Sequence, residues 1–313
     1  MSPVPLAGAG PLLSHGPSHD GSTLGDAVEV VLATGPMVLA ALAAVVYAAA
    51  ATAERRRRGW SAGRTVMFVG GCLVLALSLS PPVDGSADAS FSGHAAQHLL
   101  LAMLTPLGIV LGAPVTLALR TLPLPGARRL GRALRSRPVA VLTRPSVALV
   151  LNSGGLLVLY LTPLYALSTR STAVHMAVHL HMLLAGVLFA WVIAGPDPAP
   201  GRATVRVRLV VLGIAIAVHA TVSQLLYAGL FVKVDAPASQ LQAAGSLMYF
   251  GGDIIELMLA LALLLTWRTR PRTTHEGPET RRSRGPAVPS GSRWPVRRTS
   301  RPSTPSRAAA PAE

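Results

Sequence analysis

The sequence predicts an all-α polytopic membrane helix bundle of seven transmembrane helices, with the N-terminus outside and the C-terminus cytoplasmic. Three observations carry this reading. The 313 residues are 51% hydrophobic and only 13% charged, about half the charge of a soluble domain, and their mean hydropathy is +0.49. Seven stretches are long and apolar enough to cross a bilayer core, which takes about 20 residues of helix. The Lys and Arg residues behind the net charge of +15 lie in the gaps between those stretches, at their ends and in the tail, a pattern that buried helices of a soluble enzyme would not produce.

The first stretch covers 26–53 and is closed by Arg55 to Arg58, which with Arg64 fill the first gap. The second, 65–81, is the shortest and stops at Pro81-Pro82, because proline lacks the N–H a helix interior needs. The third runs over 91–119 and the fourth over 139–161. Seven arginines lie between 120 and 144, behind the turn signals Leu122-Pro123-Leu124-Pro125-Gly126. The fifth stretch, 173–194, ends at Gly195-Pro196-Asp197-Pro198, and Arg202, Arg206 and Arg208 precede or open the sixth, 205–231. The seventh is 243–267, and eleven arginines follow from Arg268 onward.

In a seven-span chain those basic regions all fall on one side and hold 26 of the 28 Lys and Arg residues. The other side holds Arg170 and Lys233 beside acidic Asp20, Asp26, Asp84, Asp88 and Asp235. The positive-inside rule makes the first side cytoplasmic. The charge is therefore a topology signal, and a nucleic-acid partner, which requires a basic face on a folded domain, is not expected.

The flanks read differently from the 23–268 core. Residues 1–22 contain no Lys or Arg, unlike the charged start of a cleavable signal peptide, and are expected to form a flexible external arm. Residues 269–313, rich in Arg, Pro and Ser, are expected to be a disordered basic cytoplasmic tail. Leu130 and Leu134 among the arginines of 120–138 fit either an interfacial helix on anionic lipid or a solvated loop. The single Cys72 excludes an intrachain disulfide, and no internal repeat or Gly-rich phosphate loop is present.

Ionisable groups inside a bilayer are costly and usually functional. The third stretch opens with His94 and His98, the fifth with His175 and His179. Residues four apart share a helix face, and this spacing lets two imidazoles grip one metal ion, although the Glu of the metalloprotease helix motif is absent. Both stretches run inward, so His98 and His179 each lie about 10 Å deep, close to the outer surface. Met182 falls on the His175 face, whereas His181 points elsewhere. Imidazole suits copper, and a thioether favours the cuprous ion. His219 on the sixth stretch, with Ser223 one turn on, and Met248, Asp253 and Glu256 on the seventh, are placed to meet near the middle, below the histidine pairs. A bland role stays open for each: a lone His219 can bond a helix neighbour, and Asp253 and Glu256 can serve structure or protons without metal. His15 and His19 in the arm and His275 in the tail carry no clear signal.

Four segments then resemble a family, the CtaG-type cytochrome c oxidase assembly factors, which are seven-span bacterial membrane proteins. They are His94-Ala95-Ala96-Gln97-His98 with Thr105-Pro106-Leu107 and Leu111-Gly112-Ala113-Pro114; Tyr160-Leu161-Thr162-Pro163-Leu164-Tyr165; His175-x-x-x-His179 through Gly186; and Gln240 to Gly252, including Gly245, Met248 and Gly251. The likeness covers about 26–267. The chain departs from it at Ser239-Gln240-Leu241-Gln242, where an Asp-Gln-Gln-like run is usual, and at Tyr249, where Trp is common.

The resemblance implies a multi-pass protein of the bacterial plasma membrane that helps a haem–copper oxidase mature by handling copper for one of its subunits. It carries over to His94, Gln97, His98, His175 and His179, and less firmly to His219. Together with the residue reading it gives a metal set of His94, His98, His175, His179, Met182 and His219, supported by Gln97, Met248, Asp253 and Glu256. The leading expectation is a non-enzymatic copper chaperone in the lipid bilayer, since no Ser-His-Asp arrangement or nucleotide motif is present. A haem-bearing electron-transfer protein, a copper or proton transporter and a scaffold for oxidase subunits remain alternatives. The sequence carries no signal of oligomeric state.

Overall fold

The computed structural model of the chain describes residues 23–268, and every regular element among them is helical. The expected arm and tail, with His15, His19 and His275, lie outside the described residues. In chain order the helices are α1 (Thr23–Arg58), α2 (Ala62–Ser78), α3 (Pro81–Ala89), α4 (Phe91–His98), a π-helical turn (Leu99–Leu104), α5 (Thr105–Leu111), α6 (Pro114–Thr121), α7 (Leu124–Leu134), α8 (Arg137–Leu142), α9 (Pro145–Leu161), α10 (Leu164–Ser168), α11 (Thr172–Ala194), α12 (Val205–Ala228) and α13 (Ala238–Arg268).

Five stretches among the described residues are long and apolar enough to cross a membrane: Thr34–Arg58, Phe91–Thr121, Thr172–Ala194, Val205–Ala228 and Ala238–Thr266. Each coincides with an expected span. The expected second span falls on α2, which is long enough to cross only if counted as one with Pro81–Ala87 of α3, to which it is bent by 55°. Ser80 takes extended dihedrals (φ −75°, ψ 148°) there, as a residue before proline prefers. The expected fourth span falls on α9, which is not among the five: its 17 residues make about 25 Å of helix against a hydrocarbon core of about 30 Å.

Two expected boundaries need correction for identifiable reasons. The fourth stretch does not start at 139: Pro145 forces Arg144 to extended geometry (φ −67°, ψ 131°) and cuts off α8 as a separate turn. The sixth ends at Ala228 rather than 231. Gly229 adopts φ 66°, and Leu230 N–H returns to the Leu225 carbonyl at 3.0 Å, a Schellman closure that only a left-handed residue permits. The basic 120–138 segment contains a true helix, α7, with no buried residue and with leucines and arginines sorted to different faces.

Three apolar clusters hold the bundle. One joins Leu107, Phe189, Leu212 and Leu263 of α5, α11, α12 and α13. A second joins Phe91, Tyr160, Met182 and Met248, and a third packs Tyr47, Phe68 and Leu117 of α1, α2 and α6. The outside is also apolar, with Val38, Val66, Leu73, Val150 and Leu257 each more than half exposed, as a bilayer rather than water requires.

The arginine-rich end is pinned by backbone capping. Asp197, almost fully buried, accepts the N–H groups of Val115 at 3.0 Å and Thr116 at 2.7 Å, with the Thr116 hydroxyl at 2.6 Å. The start of α6 needs such an acceptor because its first N–H groups have no helical partner. Arg202 in turn donates to the Asp197 and Gly195 carbonyls.

Candidate functional site

At the opposite end of the bundle, α4 and α11 each begin on a serine cap. Ser90 Oγ accepts the Gly93 N–H at 3.0 Å, and Ser171 Oγ accepts the Val174 N–H at 3.5 Å. Such caps fix where a helix starts, and here they set both His-x-x-x-His pairs within the first two turns. Gln240 Oε1 accepts the Phe91 N–H at 2.9 Å, tying α13 to the start of α4. Lys233 N–H donates to the Tyr160 carbonyl at 2.9 Å, tying the 229–237 connection to α9.

The five histidines of the expected site form a row rather than a closed quartet. His175 and His179 touch, with ring centroids 4.1 Å apart. His179 then stacks on His94 at 6.3 Å with planes 24° apart. One turn along α4, His98 stacks on His219 of α12 at 6.4 Å and 29°. His219 Nδ1 lies 3.7 Å from Glu256 Oε1 of α13, an ion-pair distance too long for a hydrogen bond. His175 is half-buried; His179, His94, His98, His219 and Glu256 are buried.

Four of these groups carry buried atoms without a hydrogen bond. His94 Nε2, His98 Nδ1, both ring nitrogens of His219 and Glu256 Oε2 are buried without a hydrogen bond. Most buried polar atoms are satisfied, and each orphan costs about 1–3 kcal/mol. Five such atoms lie along this one row. Two internal cavities adjoin the row. One of about 30 Å³ is lined by His98, Asn152, Ser153, His219 and Glu256, and one of about 20 Å³ by His98, Asn152, His181 and Met182. Each exceeds the roughly 10–15 Å³ a water molecule needs.

The remaining expected residues divide. Met182 is buried beside His98 at the smaller cavity. Asp253 stands one turn before Glu256 and is half-buried. Met248 is fully buried in the apolar cluster with Phe91 and Met182 and lines neither cavity. Gln97 points away from the row: its Nε2 donates to the Ser78 carbonyl at 2.9 Å and to Asp84 Oδ1 at 3.0 Å, clamping the α2–α3 bend against α4. His181, expected to point elsewhere, lines the smaller cavity with His98 and Met182, its Nε2 lying 3.2 Å from the Leu151 carbonyl.

Sequence reasoning missed three neighbours. Tyr160, with no exposed surface, sets its ring edge toward His94 at 6.4 Å and toward His98 at 6.5 Å. Asn152 and Ser153 line the larger cavity from α9. The available signal was an amide and a hydroxyl in the middle of an apolar helix.

Backbone geometry makes room for the row. A Cβ at Gly252 would lie 2.0 Å from His219 Cε1, so only glycine admits that imidazole against α13. In the π-turn, Thr105 N–H reaches back five residues to the Leu100 carbonyl. Pro106 has no N–H to offer Ala102, whose carbonyl lies against α11 where a Cβ at Gly186 would come within 2.2 Å. Such π-turns recur at functional sites; this one directly follows His98.

Among the described residues, no three His, Cys, Asp or Glu side chains converge as a metal cage. The arrangement can instead offer pairs of imidazoles in succession, with a thioether at one step and carboxylates at its inner end.

Comparison with known proteins places this geometry in context. Residues 45–270 match the model of the cytochrome c oxidase caa3 assembly factor family. An uncharacterised protein of Mycobacterium bovis and one of Mycobacterium tuberculosis are each 33% identical over 249 residues, covering 73% of this chain and 38% of the relative. An uncharacterised protein of Mycobacterium leprae is 32% identical over 234 residues, covering 68% of this chain and 35% of the relative. The chain thus spans less than two fifths of the length of these relatives. No solved structure matches.

Proposed function

The chain belongs to the cytochrome c oxidase caa3 assembly factor family, and from that premise we propose that it carries copper to a haem–copper oxidase subunit within the bacterial plasma membrane. The N-terminus lies outside and the C-terminus in the cytoplasm, because 26 of the 28 basic residues then fall inside. α2–α3 and α9 complete a seven-span bundle. Copper enters at half-buried His175 and buried His179, moves to His94, and reaches His98, with Met182 beside it, and His219.

The single observation that carries this reading is the row of imidazoles in which His94, His98 and His219 hold buried ring nitrogens without a hydrogen-bond partner. A closed cage would store a metal; successive two-ligand steps suit one that must be passed on. Imidazole and thioether ligands suit copper, the thioether its cuprous state. Because the row contains no cysteine, it is also spared the oxidation that threatens thiols outside the cell. Asp253 and Glu256 balance charge at the inner end. No step here requires catalysis by the chain.

The test in cells is the copper content of the oxidase when the protein carries His94, His98, His175 and His179 all changed to Ala, at normal membrane level. We expect a several-fold loss. Full metallation would leave only a scaffold role.

A further inference from the structure

His181 is costly where it stands. It lies near the middle of the 23-residue α11 and is exposed on the outside of the bundle, where a bilayer disfavours an ionisable ring. Two features of α9 keep it in place. Its Nε2 lies 3.2 Å from the Leu151 carbonyl, and a Cβ at Gly155 would come within 2.6 Å of that same nitrogen. A carbonyl only accepts, so Nε2 carries the proton and the Nδ1 of the neutral ring keeps a bare lone pair. Metal-binding imidazoles are oriented in this way, by a backbone acceptor on the nitrogen that does not bind.

The internal cavity of about 20 Å³ beside this ring gathers the donors that would complete a site. His98 of α4 lines it together with His181 and Met182 of α11, and Asn152 borders it from α9. His98 Nδ1 is buried without a hydrogen bond, and Met182 is 7% exposed. His98 and Asn152 also line the second cavity, with His219 and Glu256, so this pocket opens off the row at a shared imidazole. A water molecule would satisfy the rings but gain little from a thioether, which is a weak acceptor. A soft metal ion uses all three donors.

We infer that His98, His181 and Met182 form a binding site for one cuprous ion, a side pocket of the row with a ligand set of two imidazoles and a thioether. This site rests on the copper reading above and adds His181 and an oxidation state to it. The thioether selects the cuprous ion, whereas cupric copper prefers tetragonal nitrogen and oxygen sets that three such donors do not supply. Without Met182 the pocket is one more two-imidazole step.

The full chain, purified in detergent and given one equivalent of cuprous ion under reductant, is passed through gel filtration and measured by copper X-ray absorption. The unsubstituted protein should retain copper with a sulfur neighbour beside its imidazoles, and Met182→Leu should remove the sulfur. His181→Phe should lower the copper retained several-fold. Gly155→Ala should do the same, because its methyl displaces only the free end of the His181 ring; this variant decides if His181→Phe does not fold. Copper retained without sulfur in the unsubstituted protein would overturn the site. So would sulfur that persists in Met182→Leu, or retention unchanged in folded His181→Phe. Copper held by imidazoles alone, and lost when His94, His98, His175 and His179 are changed to Ala, would sink this pocket and leave the row standing. A protein that retains no copper would sink both.

Discussion

His98 and His219 face each other across α4 and α12 with ring centroids 6.4 Å apart, and His219 occupies space that exists only because residue 252 is glycine. Gly252→Ala would put a methyl 2.0 Å from His219 Cε1, and the ring has to move. Overpacking of this kind costs about 1–3 kcal/mol. We expect a lower unfolding temperature in detergent and a several-fold weaker hold on copper, with His175 and His179 unaffected. Copper titration of the purified variant checks it.

Gly186 makes the same demand on the other side of the π-turn. A Cβ there would meet the Ala102 carbonyl at 2.2 Å and Pro106 Cγ at 2.8 Å, backbone and a rigid ring that cannot swing aside. Gly186→Ala should destabilise the bundle more than Gly154→Ala, whose nearest neighbour is 3.9 Å away. Thermal unfolding of the two variants side by side measures the difference.

Gln97 acts through structure. Gln97→Leu removes two donors to Ser78 and Asp84 and leaves the Ser78 carbonyl without its partner from α4. The cost should be about 1–3 kcal/mol. Copper bound per folded protein should stay unchanged, and elemental analysis of the surviving folded fraction tests that separation.

At the arginine-rich end, Asp197→Ala should cost about 1–2 kcal/mol by uncapping α6 and leave copper binding as it was. Loss of copper with normal stability in this variant would mean that the two ends of the bundle are coupled in a way the geometry does not provide.

Much of this molecule was legible in the sequence because a bilayer demands long apolar helices, and five of the expected stretches appear as such. Prolines explain the departures: Pro81-Pro82 bends α2 into α3, and Pro145 shortens α9. Histidine spacing four apart was enough to find both pairs on α4 and α11. Spacing along a chain says nothing about which helix packs against which, however. The stacking of His98 on His219, the position of Gln97 against Ser78, and the entry of Asn152 and Tyr160 into the site all depend on neighbours brought together by packing. The π-turn depends on a proline seven residues beyond Leu99, in a run of leucines that reads as an ordinary helix.

Copper per protein, measured by elemental analysis of purified wild type against the His94, His98, His175 and His179 to Ala variant, tests the central claim most directly. The account predicts copper retained by the wild type through gel filtration and lost from the variant. Equal copper in both would contradict it.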